Sequence, residues 1–317
     1  MTLTTLARSV IFVALGLAGL AGLTHWRATS REAAAEAAYP PSGNFVTVDG
    51  LRLHYEISGK GPDLVMIHGA SGSLRDLTFV LRDRLTDRFR VIVIDRPGLG
   101  HSDPLPDASL MAQARAIKAA VAQLGVTDPV VLGQSYGGAV ALAWALDADQ
   151  TGGPKALVLV SSPSMPWPGK LDPWYRLTAT GPGRALAIPL AAALVPQSYV
   201  TAATTLVFAP EPVPTGYADW IGTPLVLRRD TLAANTAQIN ALRAELVTME
   251  PQYPRLDLPV ELIHGTEDTI VPLHIHSAPL AELLPDARLT VIDGAGHMPH
   301  HSHADIVIDA ILRAALR

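Results

Sequence analysis

Six short, almost uninterrupted aliphatic runs constrain this chain more than any other feature: "LVMIHG" at 64–69, "VIVIDRPG" at 91–98, "VVLGQS" at 130–135, "ALVLVSS" at 156–162, "VELIHG" at 260–265 and "RLTVID" at 288–293. A strand with one wet face alternates apolar and polar residues, whereas these runs barely alternate, so they suit strands covered on both sides. Covering both faces takes helices, and helix-length segments separate most of the runs, which predicts an α/β fold with a mostly parallel sheet. Upstream, "FVTVDGLRLHYEIS" does alternate, around Asp49-Gly50, a dipeptide suited to the positive φ angles of a tight hairpin turn.

At 49% hydrophobic and 17% charged over 317 residues, the chain is able to bury a sizeable core. A net charge of −5 and no clustered Lys/Arg stripe exclude an electrostatic footprint for nucleic acid. With no cysteine, thiol catalysis, disulfides and Cys-ligated zinc are excluded too.

Residues 1–26 stand apart. "SVIFVALGLAGLAGLTHW" carries no Asp, Glu, Lys or Arg over the 18 positions from Ser9 to Trp26, the lower limit for crossing a bilayer. A membrane anchor is favoured over a cleaved signal peptide, because Arg27, Arg31 and Glu32 separate the run from the small residues of "AAAEAA". The flanking charges lean toward an extracytoplasmic domain; secretion after cleavage is the alternative. Residues 27–43 read as an alanine-rich, charged tether broken by Pro40, Pro41 and Gly43, with the folded part beginning near Asn44. Residues 44–162 and 258–317 hold the strand runs. Between them, residues 163–224 contain 11 of the 26 prolines and three of the five tryptophans, followed by a helix-like stretch. This predicts a mostly helical cap over 163–257.

The chemistry centres on "VVLGQSYGGAVALAWAL" at 130–146, where a strand gives way to a helix through Gly-x-Ser-x-Gly. Glycines 133 and 137 remove side chains that would collide in so sharp a turn, leaving Ser135 exposed at the carboxyl edge of the sheet. A serine hydroxyl needs a base, an orienting carboxylate and oxyanion donors. His297 lies in "GAGHMPH" straight after the last strand, and Asp268 lies in "HGTEDTIVP" after the one before, with Glu267 as its neighbour and competitor. The expected oxyanion donors are the backbone N–H groups of Tyr136, at a helix start, and of Ala70 in "HGASGS". With only its N–H engaged, the Tyr136 side chain is left to shape a pocket.

From Phe45 to the C-terminus the chain resembles the α/β-hydrolase superfamily: "HGASGS", "DRPGLGHS", "GQSYGG", "HGTEDTIVP" and "GAGHMPH" occur in that family's order and spacing. The resemblance implies an eight-stranded, mostly parallel sheet with a cap over the active site, and nucleophile, acid and base roles for Ser135, Asp268 and His297. Branches such as haloalkane dehalogenases and epoxide hydrolases place Asp at the nucleophile position, and Ser135 argues against both. The expected activity is hydrolysis of a small, hydrophobic carboxylic ester without a cofactor. The alternatives are a cofactor-free haloperoxidase or perhydrolase, a C–C bond hydrolase, and a membrane-tethered binding protein without turnover; the oligomeric state stays open.

Several other residues invite weaker readings. His68 and Gly69 are expected to shape the oxyanion loop, and Asp95 and Arg96 to stabilise their own loop. The histidines at 297, 300, 301 and 303, with His274 and His276, lack the spacing of a metal motif, so no metal is expected. Met165, Trp167 and Trp174 suit either an acyl pocket or the core of the cap.

Overall fold

A computed structural model of the chain describes residues 3–147 and 151–317. Its eight strands are β1 (Asn44–Val48), β2 (Leu51–Ser58), β3 (Asp63–Ile67), β4 (Arg90–Ile94), β5 (Val130–Gln134), β6 (Ala156–Val160), β7 (Val260–Gly265) and β8 (Ala287–Ile292). They form one sheet in the order β1-β2-β4-β3-β5-β6-β7-β8. β2 pairs antiparallel with β1 and β4, and every other pairing is parallel. The β1–β2 hairpin turns through Asp49 (φ +50°) and Gly50 (φ +84°), the two left-handed residues that the dipeptide suited.

The helices are α1 (Leu3–Ala38), α2 (Leu74–Thr78), α3 (Leu81–Leu85), α4 (Leu110–Gln123), α5 (Tyr136–Leu146), α6 (Pro173–Thr178), α7 (Gly181–Leu194), α8 (Gln197–Phe208), α9 (Tyr217–Trp220), α10 (Arg229–Met249), α11 (Ser277–Leu283), α12 (Pro299–Ser302) and α13 (Ala304–Ala315). Strand residues alternate between two cores, as a sheet covered on both sides requires. Val65, Ile67, Ile92, Ile94 and Val131 pack with α4 and α5, while Leu64, Met66, Val91, Val93 and Leu132 pack with α2, α3 and α13. Helices α6 to α10 are inserted between β6 and β7.

The tether expected over 27–43 is instead helical as far as Ala38 and docked on the insert. Ala28 is fully buried against Ile188, Ala192 and Ala193 of α7. Arg27 Nε donates to Ala193 O (2.7 Å), Arg31 donates to Ala193 O and Val195 O, and Arg229 grips Glu32. Alanine favours the helix and lets α7 approach closely, and the charges that looked solvent-bound find partners across the contact. The folded part therefore begins near Arg27, and only residues 39–43 link α1 to the sheet. Upstream, α1 exposes Phe12, Leu15, Leu17, Leu20 and Trp26, and it is long and apolar enough to cross a membrane. Eighteen residues of helix span about 27 Å, close to the hydrocarbon thickness of a bilayer.

Candidate active site

Ser135 sits between the last residue of β5 and the first of α5, with φ +49° and ψ −126°, a backbone region that residues other than glycine rarely occupy. Ser135 N donates to Val160 O (2.8 Å), and Gly138 N donates back to Ser135 O (2.8 Å), which holds the bend. The turn packs against backbone: a Cβ on Gly137 would lie 2.2 Å from Ile67 O. A Cβ on Gly138, which the motif reading passed over, would lie 1.8 Å from Ser162 Oγ.

The loops after β7 and β8 bring the other two side chains to this turn. His297 Nε2 is 3.0 Å from Ser135 Oγ, and His297 Nδ1 is 2.7 Å from Asp268 Oδ2. Asp268 is buried, while its competitor Glu267 is exposed. Asp268 Oδ1 accepts from the backbone N–H groups of Ile270 and Val271, both at 2.9 Å. His264, which opens "HGTEDTIVP" but carries no role in the sequence reading, places its Nε2 3.1 Å from Oδ2. Burial by itself would raise the Asp268 carboxyl, but bonds from His264, His297 and the Val271 N–H outweigh it and hold the group far below the usual carboxylate range. Asp268 is therefore ionised throughout the working pH range and fixes His297 with Nδ1 protonated and Nε2 free to accept from Ser135.

The loop after β3 passes the serine closely enough that a Cβ on Gly69 would lie 3.1 Å from Ser135 Cβ. Ala70 and Tyr136 flank the serine from the loop and from the first turn of α5, whose leading N–H groups have no intrahelical acceptor. The loop is braced by α10: Asn235 Oδ1 accepts from Ser71 N (2.8 Å), and Ser71 itself has φ +53°.

Arg96 corrects one expectation. Its guanidinium is fully buried and serves the β3 loop rather than its own, donating to His68 O and Gly69 O and to the Gln113 and Gln238 side chains. It stacks 4.3 Å from the Tyr136 ring, and burial lowers it to about 10, still protonated at neutral pH. Tyr136 corrects another. Its ring is buried under Arg96, with its hydroxyl donating to Gln238 O (3.3 Å), so the side chain supports the turn and does not shape the pocket. Asp95 fits its expected role only in part: it accepts from His101 N of its own loop, but also from Leu74 N of α2, and meets His54 Nδ1 of β2 at 2.7 Å.

Ser135 and His297 open on a cavity of about 160 Å³. Ala70 and Met298 line one side; Val200, Ala203 and Val207 of α8, with Phe208, Tyr217 and Ile221, line the other. Of Met165, Trp167 and Trp174, none meets the pocket reading and only Trp174 sits in the core of the cap. Met165 and Trp167 pack on the α4–α5 side of the sheet, Trp174 packs with α7, and none of them lines this cavity.

With sheet order, inserted helices and site geometry established, comparison with known proteins decides the family. The alpha/beta hydrolase fold model matches residues 62–304. The chain belongs to the alpha/beta hydrolase fold family. An uncharacterized protein of Mycobacterium tuberculosis (strain H37Rv) is 31% identical over 287 residues, covering 86% of this chain and 81% of its own. The 2-hydroxy-6-oxo-6-phenylhexa-2,4-dienoate hydrolase of Burkholderia cepacia is 26% identical over 280 residues, covering 83% and 93%. Among solved structures, an alpha/beta hydrolase fold protein from Burkholderia ambifaria superposes with a TM-score of 0.70 at 26% identity, covering 85% of this chain and 97% of that one.

Within this alpha/beta hydrolase the histidine group splits in two. His297 faces Ser135, whereas His300 and His301 turn their Nε2 atoms onto Asp76 of α2, at 3.1 and 2.9 Å, and Tyr217 OH donates to the same carboxylate (2.6 Å). Burial would raise Asp76, but His300 and His301 hold it well below its ordinary value. Ligand atoms of Asp76, His300 and His301 lie within 4.8 Å of one another, close enough to hold a cation. However, both Nδ1 atoms are buried without a partner, whereas metal-ligating imidazoles donate that N–H outward. Two imidazoles each turning Nε2 onto one carboxylate as hydrogen-bond donors fit better, and the cluster ties α2, α9 and α12 together beside the cavity. Sequence spacing gave no sign of it, since Asp76 is 224 residues from His300.

His68, His276 and His300 are held to about 4, each chiefly by burial. Because the unfolded chain takes up these protons first, near pH 6.5, each histidine contributes stability that is complete above that pH and is lost as pH falls toward 4. The loss is roughly 3 kcal/mol per group. The urea midpoint should therefore drop steeply from pH 6.5 to 4.5; a flat profile there would show that these histidines are not buried neutral.

Proposed function

We propose that the protein is a membrane-anchored serine hydrolase that cleaves carboxylic esters through an acyl-enzyme. The observation that carries this reading is the unbroken run of contacts from Asp268 Oδ2 through both His297 nitrogens to Ser135 Oγ, at 2.7 and 3.0 Å, at the wall of a mostly apolar cavity. His297 Nε2 takes the Ser135 proton as Oγ attacks the ester carbonyl, and Asp268 stabilises the imidazolium that forms. The Ala70 and Tyr136 N–H groups hold the oxyanion. His297 then protonates the departing alkoxide and activates a water, which releases the acid and restores the serine. The insert, residues 163–257, acts as the cap, because α8 and α9 supply the wall facing the serine.

The Burkholderia cepacia relative favours a second reading, C–C bond hydrolysis, on the same residues. A dienoate carries a carboxylate that a site must balance with positive charge. Among the described residues, the cavity lining has no Lys or Arg and includes the Asp76 carboxylate, which favours an uncharged ester.

p-Nitrophenyl esters of graded acyl length test the reading: the full chain should hydrolyse them and be labelled by a fluorophosphonate. Failure of both would leave the fold without this chemistry. In the same assay Ala70→Pro, which removes the N–H, should lower kcat by about 10²- to 10³-fold, while Ala70→Gly keeps the N–H and most of the rate. Equal rates for the two variants would remove Ala70 from the oxyanion site.

A further inference from the structure

We propose that the outer face of α7 and α8 lies on the bilayer surface, so that the enzyme takes an amphiphilic ester from the membrane into the cavity behind α8. The ester part of this inference rests on the chemistry proposed above, and the membrane seating rests on the α1 anchor proposed with it but not on that chemistry.

Residues 185–210 contain no Asp, Glu, Lys or Arg, 26 consecutive positions in a chain where 17% of residues are charged and about four would be expected. An uncharged stretch of that length is ordinarily buried, yet this one exposes Leu186 (67%), Leu194 (59%), Tyr199 (71%) and Leu206 (74%). A helix at a water-facing surface carries charge on its outer side; α8 presents Tyr199, Ala202, Thr205 and Leu206 there instead.

Position identifies what covers this face. The α7–α8 corner is fastened to α1 by Arg27 and Arg31, which donate to Ala193 O and Val195 O. Arg27 is the first residue after the uncharged run of α1. The corner is thus held where the anchor leaves the bilayer, which brings exposed Leu194 to the membrane boundary. The inner side of the same helix α8, through Val200, Ala203, Thr204 and Val207, walls the cavity that holds Ser135. One helix therefore separates lipid from nucleophile. With Arg184, at the start of α7, the one exposed cation on these two helices and none from 185 to 210, apolar area and not headgroup charge drives the seating, so it should persist on neutral phosphatidylcholine and in high salt.

The absence of cysteine makes the test clean. The full chain carrying Leu206→Cys, labelled with an environment-sensitive fluorophore and reconstituted into phosphatidylcholine vesicles, should be quenched by spin-labelled lipid. The same label at Glu282→Cys on α11 should not be. A Leu186→Glu/Leu206→Glu variant should hydrolyse a soluble short-chain ester at the wild-type rate and lose about tenfold or more on a long-chain ester dissolved in vesicles. A residue-206 label that lipid does not quench, or that only a spin-labelled second copy of the chain quenches, overturns the seating even if esters are turned over. Lipid quenching at residue 206 in a chain that turns over no ester upholds the seating and sinks the ester reading alone.

Discussion

Ser135→Ala should lower kcat on a p-nitrophenyl ester by about 10⁶-fold while leaving the fold intact. The size follows from what remains: without Oγ, the only nucleophile is water, and the His297–Asp268 pair has no proton to take from residue 135. Oxyanion donors and binding alone leave roughly 10³- to 10⁴-fold over the reaction in water. The turn itself survives, because the bonds that hold it, Ser135 N to Val160 O and Gly138 N to Ser135 O, are backbone bonds. An alanine tolerates the positive φ about as poorly as a serine, so the strain is unchanged and the unfolding free energy should stay within about 0.5 kcal/mol of wild type. Residual turnover above about 1% with an unaltered fold would show that another group attacks. Loss of fluorophosphonate labelling in the same variant ties the chemistry to this residue.

Asp268→Asn should be the next most severe, at about 10⁴-fold in kcat, because the structure decides which way the amide points. Oδ1 accepts from both Ile270 N and Val271 N, so the carbonyl of an asparagine keeps that position and its NH₂ turns toward His297 Nδ1. A donor there forces the imidazole into the tautomer with the proton on Nε2, which cannot accept from Ser135 Oγ. The same NH₂ faces His264 Nε2, which lies beside Val271 O at 2.6 Å and is held as a donor by it, so two donors meet at 3.1 Å. Some stability is lost as well, by about 1–3 kcal/mol. Exposed Glu267 is turned away and cannot substitute. Because the Asp268 carboxyl is held far below its ordinary range, an acid limb in the wild-type rate profile belongs to another group; Asp268→Asn should therefore depress the whole profile. A kcat within tenfold of wild type would mean that the carboxylate does not orient the base.

The three residues brought together here were legible before any coordinates because each stands within five residues of a strand's end, and strand ends can be read from short apolar runs. Ser135 follows β5, Asp268 the end of β7 and His297 the end of β8, and a parallel sheet gathers those ends at one edge. The residues that support them were not legible. In sequence Arg96 reads as serving its own loop, because its partners at 68, 69, 113 and 238 are scattered along the chain. Asn235 and Gln238 look like ordinary polar positions of a long helix until α10 is packed beneath the β3 loop. Tyr136, free in the sequence reading, is buried under Arg96, and the charged stretch after Trp26 looked solvent-exposed because its partners lie more than 160 positions away, on α7 and α10.

Local chemistry along the chain thus determined the strand runs, the hairpin, the serine turn and the apolar N-terminal helix, since each depends on residues within one element and its flanks. Tertiary structure alone decided what Arg96 grips, which carboxylate His300 and His301 share, that α1 runs unbroken onto α7, and which face of α8 meets the cavity. Those contacts join residues far apart in sequence, and their free energy comes from shared burial and hydrogen bonds that exist only once the elements are packed.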